Sequence, residues 1–417
     1  MAPAPTAQLG AAIVSEFESV PVDRLSIPAV MLDLPERRRT SVLPWRGQFS
    51  PQLIANLLEH FGRDAEVIAD PFAGSGTALI EAARQGRSAW GFDVNPAAVY
   101  AARTAELMNL PVKKRDGLFR AVGAQLEGSL APYRPADLFA IRAQGDGLVP
   151  IDVMRELVTH RPNRQITTIL ANSVMQATGP NGTTTTVEAV LRSFSRYSKL
   201  CAALPYSRCR LRAEQKDGRS IPLADSAVDL VITSPPYINV FNYHQNYRWA
   251  MELMGHRLLT VAKSEIGANR KHRSNRFLTV IQYCLDMRLA LIECSRFLKR
   301  EGILVLVVGR ESNVLGRSFE NGRALYAIGR LVGFKFESRL ERVFVSRYGT
   351  RVYEDILIFR NTGAPPSAEP IARGVARWLL ERAAQDAGES IRESIDLALR
   401  AVGSVDASPG LVDDIYC

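Results

Sequence analysis

The chain is expected to be an α/β protein. Its sheet should be mostly parallel and twisted, end in an antiparallel hairpin, and carry a helical insertion and C-terminal helices. Three observations predict this. Residues 65–70 (AEVIAD) and 88–93 (SAWGFD) read as buried strands flanking a helix, a unit the size of one βαβ crossover and hence a parallel pair. VDLVIT (228–233) and ILVLVV (303–308) are short apolar runs rich in β-branched residues, as buried parallel strands are. VFVSRYGTRVYEDILIF (343–359) reads as two strands joined by a tight turn around Gly349. A length of 417 residues suggests two to three domains, or one catalytic core with large insertions.

Residues 1–40 are rich in Ala and Pro, with Pro21, Pro28 and Pro35 expected to interrupt any helix. The triplet Arg37-Arg38-Arg39 suits either phosphate contact or a solvated loop. Residues 50–62 (SPQLIANLLEHFG) predict a helix, with Ser50 as cap, Pro51 in the first turn and Gly62 at the end. After the strand at 65–70 comes a Gly-rich turn, then a helix from about Thr77 to Gln85, stopped at Gly86. Asn95 caps the next helix, with Pro96 at its first position.

The alternation then breaks. Asp93 and Asp217 are 124 positions apart. One crossover needs roughly 30 residues, so about 90 are inserted. Within them IDVMRELVTH (151–160) and QITTILANSVMQA (165–177) look helical, and GTTTT (182–186) looks like an exposed loop. After Tyr237 a basic stretch, KSEIGANRKHRSNR (263–276), precedes an apolar helix over 277–298. A polar linker from 366 leads into two amphipathic helices, with Ile371, Val375, Trp378 and Leu379 on one and Ile391, Ile395 and Leu399 on the other.

Composition describes an ordinary globular chain: 47% hydrophobic and 23% charged, with a net charge of +9 that permits a polyanionic partner without requiring one. The longest clean apolar run is GILVLVVG (302–309), far short of the ~20 residues of a membrane span. The N-terminus lacks a basic leader followed by a long apolar block, so a secretory signal is not expected. The five cysteines have no CxxC spacing and read as reduced, core-filling thiols of a cytoplasmic protein. There is no HExxH, no GxxxxGK[ST] and no HxE followed by PCxxC, which removes zinc proteases, P-loop nucleotidases and zinc deaminases. No cysteine follows a proline, so the Pro-Cys nucleophile of cytosine carbon-5 methylation is also absent.

Two strand ends carry chemistry. The first is DPFAGSGT (70–77), where Gly74 and Gly76 let the backbone turn sharply and the following helix start offers free N–H groups to an anion. Asp93 ends the next strand 23 positions after Asp70, the distance at which a carboxylate holds ribose hydroxyls in dinucleotide folds. Leu79 stands where the third glycine of GxGxxG would be, which argues against a dinucleotide. The second is TSPPY (233–237). Its two prolines hold the backbone extended, so that the Ser234 hydroxyl and the Pro235 carbonyl form a fixed pair of acceptors for an amino group beside the flat face of Tyr237. Each alone also suits a purely structural turn. Strand-end loops of an open α/β sheet gather at one edge, which brings the two together.

In combination, DPFAGSGT, GFDVNP and TSPPY resemble the DNA amino-methyltransferases, over roughly 41–110 and 210–360. The resemblance implies a Rossmann-like class I methyltransferase fold and S-adenosyl-L-methionine as cofactor, with no metal. It assigns Asp70, Phe72, Gly74 and Gly76 to the methionine end of the cofactor, Asp93 to the ribose and Asp217 to the adenine amino group, with Asp225 as a competing candidate. Phe49, in PWRGQFSPQL (44–53), is expected to line the same pocket, and Trp45 suits either that pocket or the core. Ser234, Pro235, Pro236 and Tyr237 inherit catalysis on a flipped-out base. Serine before PPY leans towards cytosine N4, and Asp or Asn towards adenine N6.

On this reading the chain divides into an N-terminal extension (1–40), a first core segment with the cofactor motifs (41–110), a largely helical insertion (111–209), a second core segment with the SPPY motif (210–362) and a C-terminal helical segment (363–417). The insertion and the basic stretch with Arg270, Lys271, Arg273 and Arg276 are the candidates for contact with double-stranded DNA. Tyr243 and His244 follow the catalytic loop and suit either a place near the base or packing. A separately encoded restriction endonuclease is a possible partner. Adenine N6, an RNA or protein amide, and a non-catalytic DNA-binding regulator are the alternatives.

Overall fold

A computed structural model of the chain describes residues 5–35, 45, 48–134, 147–159, 163–238, 243–267, 272, 274–346, 349–366 and 369–411. Arg37–Arg39, Arg270, Lys271, Arg273 and Cys417 lie outside these residues.

The N-terminal part contains α1 (Pro5–Glu16) and the short α2 (Ala29–Asp33), neither of which runs through Pro21, Pro28 or Pro35. Pro21, Pro28 and Pro35 all fall after α1, and Pro5 sits at its first residue, where proline is tolerated. Helix α3 (Pro51–Phe61) starts after Ser50, but the Ser50 hydroxyl makes no cap bond and is buried without a partner. Strand β1 (Val67–Asp70), helix α4 (Thr77–Arg84), strand β2 (Ser88–Asp93) and helix α5 (Pro96–Ala102) follow as expected. The Asn95 side chain caps α5 by accepting from the Ala97 N–H at 2.9 Å.

The insertion holds α6 (Val112–Leu130), α7 (Ile151–Val158), α8 (Arg164–Thr178) and α9 (Val187–Ala202). They enclose their own core around Leu126, Met154, Ile169 and Tyr197. The 182–186 loop is less exposed than its composition suggests, because Thr185 is buried and Thr186 caps α9. Strand β3 (Leu211–Gln215), which the sequence did not announce, precedes β4 (Val228–Thr233). β3 is an edge strand with only alternate residues buried, so it lacks an apolar run. Helices α10 (Arg248–Leu253) and α11 (Leu258–Ser264) pack Ala250, Met251, Leu258 and Val261 into the insertion's core.

Helix α12 (Leu278–Phe297) leads into β5 (Leu298–Gly309), a small hairpin of β6 (Glu311–Val314) and β7 (Arg317–Glu320), and α13 (Asn321–Val332). Strands β8 (Phe334–Val345) and β9 (Arg351–Asn361) form the expected antiparallel hairpin, and α14 (Glu369–Ala384) and α15 (Glu389–Arg400) precede a final described segment to Leu411. Helices α1 and α14 cross closely at Gly10, where a Cβ would lie 2.8 Å from the Ile371 carbonyl oxygen.

Among the described residues the sheet has seven strands in the order β3-β2-β1-β4-β5-β9-β8. The first five are parallel, and β9 runs antiparallel between β5 and β8. Alternate residues of β1 face opposite layers: Ile68 joins the side of α3 and α4, and Ala69 the side of α12 and α13. Strand order reverses at β1 and β4, so their C-terminal ends open a crevice. Both motifs emerge there. The mostly parallel α/β fold with a terminal antiparallel pair is as expected. Among the described residues no helix is long and apolar enough to cross a membrane.

Candidate cofactor and base site

The turn after β1 is built by local backbone chemistry. Gly74 (φ +49°) and Gly76 (φ +77°) occupy the left-handed region, which glycine enters without steric cost. A Cβ on Gly76 would lie 2.5 Å from Ala102 Cα, so this glycine lets α4 dock against α5. A Cβ on Gly74 would meet the Trp45 indole at 3.3 Å, so the ring lies over the turn. The Ala73 N–H donates to the Phe92 carbonyl at 2.8 Å, which fastens the turn to β2.

Asp93 serves the same turn. One carboxylate oxygen accepts the Gly74 N–H at 3.0 Å and the other the Asn95 N–H at 2.9 Å. Each oxygen keeps a lone pair, so two further donors can be held side by side. Desolvation pushes the Asp93 carboxyl up to about 6, the Asn95 and Gly74 N–H bonds oppose this, and the nearby Glu265 carboxylate adds to it.

Asp70 lies below the turn and does not line the cavity. Its Oδ1 accepts the Thr233 hydroxyl at 2.6 Å and the Phe72 N–H at 3.1 Å, which ties the ends of β1 and β4 together. It is 1% exposed, its Oδ2 has no hydrogen-bond partner, and burial pushes its carboxyl up to about 7.

In the loop after β4, Ser234 Oγ and Tyr237 OH are 3.4 Å apart. The Tyr237 ring packs on Gly309, where a Cβ would come within 3.1 Å of it. Desolvation pushes the phenol up to about 12, so it is neutral at ordinary pH. Gly267 (φ +73°) passes so near the Tyr237 carbonyl that a Cβ there would lie 2.6 Å away. The strand-end loop is thereby braced by the segment after α11.

One cavity of about 900 Å³, counting the open space at its mouth, joins the two strand ends. Phe49, Phe72, Gly74, Asp93 and Asp217 line it, as do Ser234, Pro236 and Tyr237. Asp70, Gly76 and Pro235 are not in the lining. Asp225 is away from it, exposed and paired with Arg296 at 2.7 Å, so of these two acids Asp217 lines the cavity. Asp217 is itself engaged: its carboxylate accepts from the Arg219 guanidinium and from two backbone N–H groups.

Trp45, Tyr243 and Glu265 also line the cavity and were not among the expected site residues. Trp45, which suits either pocket or core by sequence, lies in the pocket over the Gly74 turn. Tyr243 is fixed by its carbonyl, which accepts from Asn95 Nδ2 at 2.7 Å. Glu265 is 3% exposed and lies 2.8 Å through Oε2 from His244 Nδ1, while its Oε1 accepts the His244 backbone N–H. No local pattern marks Glu265, because its place depends on α10 and α11 folding back. Arg276 is exposed and is not part of the cavity.

The lining suits S-adenosylmethionine. The Gly74 turn and the lack of a Cβ at Gly218, which would come within 2.8 Å of Phe72, leave a slot that side chains would fill. Aromatic rings flank it, and Asp93 offers paired acceptors. Among the described residues no group of three or more His, Cys, Asp or Glu could hold a metal ion.

The sheet order and the cavity at the strand ends define a Rossmann-like methyltransferase fold. Residues 35–104 match the family model described as DNA methylase. The chain is 36% identical over 67 residues to the Type II methyltransferase M.MjaII of Methanocaldococcus jannaschii, across 15% of this chain and 13% of that protein. It therefore spans only a small part of that curated relative. Solved structures similar to it include the rRNA methyltransferase AviRa from Streptomyces viridochromogenes, at 14% identity over 82% of this chain and 98% of that one, with a TM-score of 0.34. Another is a SAM-dependent methyltransferase from Methanosarcina mazei, at 12% identity over 72% and 92%, with a TM-score of 0.31. The family match covers the segment that carries the Gly74 turn and Asp93, and S-adenosylmethionine is the cofactor that the site suits. The TSPPY residues lie outside the matched segment 35–104.

Proposed function

We propose that this chain is an S-adenosylmethionine-dependent DNA methyltransferase that modifies the exocyclic N4 amino group of cytosine in a flipped-out base. The observation that carries the proposal is the single cavity lined at one wall by the Gly74 turn and Asp93 and at another by Ser234, Pro236 and Tyr237. Both halves of a two-substrate site face one space.

The exocyclic amine is a poor nucleophile because its lone pair is delocalised into the ring. Ser234 Oγ accepts one of its hydrogens and favours a pyramidal nitrogen, while Pro235, outside the lining, holds the loop extended. Tyr237 supplies an apolar face for a base taken out of the stack. Phe72, Gly74, Asp93 and Asp217 hold the cofactor, and Asp70 and Gly76 set the turn beneath it. When bound, the cofactor supplies an electrophilic methyl group on sulfur. The residues contribute positioning and electrostatics.

Ser234 before Pro235-Pro236-Tyr237 supports cytosine over adenine. The helical insertion, together with Arg276 and the basic residues Arg270, Lys271 and Arg273, is the proposed DNA-reading surface. The reading makes the enzyme a cytoplasmic protein bound to double-stranded DNA, the protective half of a restriction–modification pair with a separate endonuclease.

The test is nucleoside mass spectrometry of DNA incubated with the protein and methyl-labelled S-adenosylmethionine. Labelled N4-methylcytosine is expected. Labelled N6-methyladenine would overturn the choice of base, and unlabelled DNA with the cofactor bound would overturn the choice of substrate.

A further inference from the structure

Arg219 joins parts of the chain far apart in sequence. Its side chain is 6% exposed. Nε and Nη2 donate to the two carboxylate oxygens of Asp217 at 2.9 and 2.6 Å. Nη1 reaches Asp286 Oδ1 and the Ser408 carbonyl, both at 2.8 Å. Nη2 also reaches the carbonyls of Ser264 and Pro409 at 3.0 and 2.9 Å. Asp217 and Ser264 both line the cavity.

The segment after α15 is tied to the same cluster. Ser408 donates its backbone N–H to Asp286 Oδ1 at 2.7 Å and its hydroxyl to Oδ2 at 2.6 Å. Asp286 is fully buried and Ser408 is 8% exposed. Three residues further on, the Leu411 N–H donates to Asp217 Oδ2 at 3.0 Å.

The acceptor positions of Asp217 are then all used. An ionised carboxylate has about four lone-pair sites. Arg219 takes three, through Nε, Nη2 and its backbone N–H, which donates to Oδ1 at 3.0 Å. Leu411 takes the fourth, and its N–H is a neutral donor like an aromatic amino group. Ser408 and Pro409 are fastened by several bonds to buried groups, whereas Leu411 holds Asp217 by one.

We propose that Arg219 is a positioning residue for the adenine end of the cofactor and that the C-terminal segment completes that subsite. Ser408 and Pro409 lock Arg219, Arg219 sets the Asp217 carboxylate, and the Leu411 N–H holds the last acceptor position until the cofactor's amino group replaces it. The proposal rests on the reading of Asp217 as the acceptor of that amino group.

The test measures binding of S-adenosylhomocysteine by calorimetry, alongside turnover. Arg219→Lys cannot make the bidentate bond and is expected to raise Kd about tenfold and the cofactor KM likewise, with kcat changed less than about twofold. Leu411→Pro removes the N–H, and Leu411→Ala keeps it. The proline variant is expected to bind about threefold more tightly than the alanine variant. That gain should be present for 5′-methylthioadenosine and absent for its inosine counterpart, which lacks the amino group. Unchanged Kd in Arg219→Lys, or equal binding by the two Leu411 variants, would overturn the proposal. Asp217→Asn separates the two failures. If it leaves Kd unchanged, the reading of Asp217 is wrong; if it weakens binding while Arg219→Lys does not, only the positioning role is wrong. Loss of folding in Arg219→Lys leaves the half-buried Leu411 pair to decide.

Discussion

Asp93 must be ionised to accept two ribose hydroxyls fully, and desolvation has pushed its carboxyl up to about 6. Protonation competes with the ligand below that value. Affinity for S-adenosylhomocysteine should therefore fall as pH drops below about 6, approaching tenfold per unit. Asp93→Ala should bind weakly and lose this dependence; titration calorimetry between pH 5 and 8 gives the comparison. Ser234 belongs to the other half of the site. Ser234→Ala removes one acceptor for the reacting amine and should lower kcat by roughly 10²–10³-fold with product affinity unchanged, since its partner within reach is Tyr237 and not the Gly74 turn. A kcat loss matched by an equal loss of cofactor affinity would move Ser234 to the cofactor side. At this scale the sequence was informative where chemistry is local. Gly74, Gly76 and Asp93 bond within a few residues or to the adjoining strand, as does the capping oxygen of Asn95, and all could be read. Glu265 and the partners of Asp217 could not.

The elements impose two further constraints. Gly76 combines a left-handed φ with a 2.5 Å approach of its missing Cβ to backbone of α5. Gly76→Ala should cost about 1–3 kcal/mol, because neither the turn nor the α4–α5 contact can yield, and a urea midpoint close to that of the parent would show that they do. Asp70 links β1 to β4. Its folded pKa, about 7, lies above the ordinary carboxylate value of 3.8. The native state thus holds the proton more tightly, and stability is lost as pH rises through that window. Asp70→Asn keeps an acceptor for the Thr233 hydroxyl and cannot ionise. Its urea midpoint should change less between pH 5 and 8 than that of the parent chain. An equal change would place the titration elsewhere, with Asp286, also pushed to about 6, as the next candidate. Helices and strands with strong apolar periodicity were legible, while β3 and the β6–β7 hairpin were not. They are short, half-buried and formed by pairing with distant partners.

Across the whole molecule, a seven-stranded sheet supplies the crevice and the helical insertion supplies a second core beside it. Net charge is +9 and Arg276 is exposed, in keeping with a DNA-facing surface. If Arg276 neutralises a phosphate, Arg276→Ala should reduce the slope of log affinity against log salt by about 1 without changing sequence preference. An unchanged slope would remove it from the interface. The sequence by itself determined the α/β class, the two strand-end motifs and eight of the residues that line the cavity. Those depend on backbone conformations and hydrogen bonds between near neighbours, and residue type reports them directly. Only the tertiary structure decided that Asp70 lies beneath the cavity, that Glu265 and Tyr243 border it, and that Leu411 reaches Asp217 across 194 positions of chain. Such contacts follow from how separate elements pack, and no residue pattern along the chain encodes the distance between them.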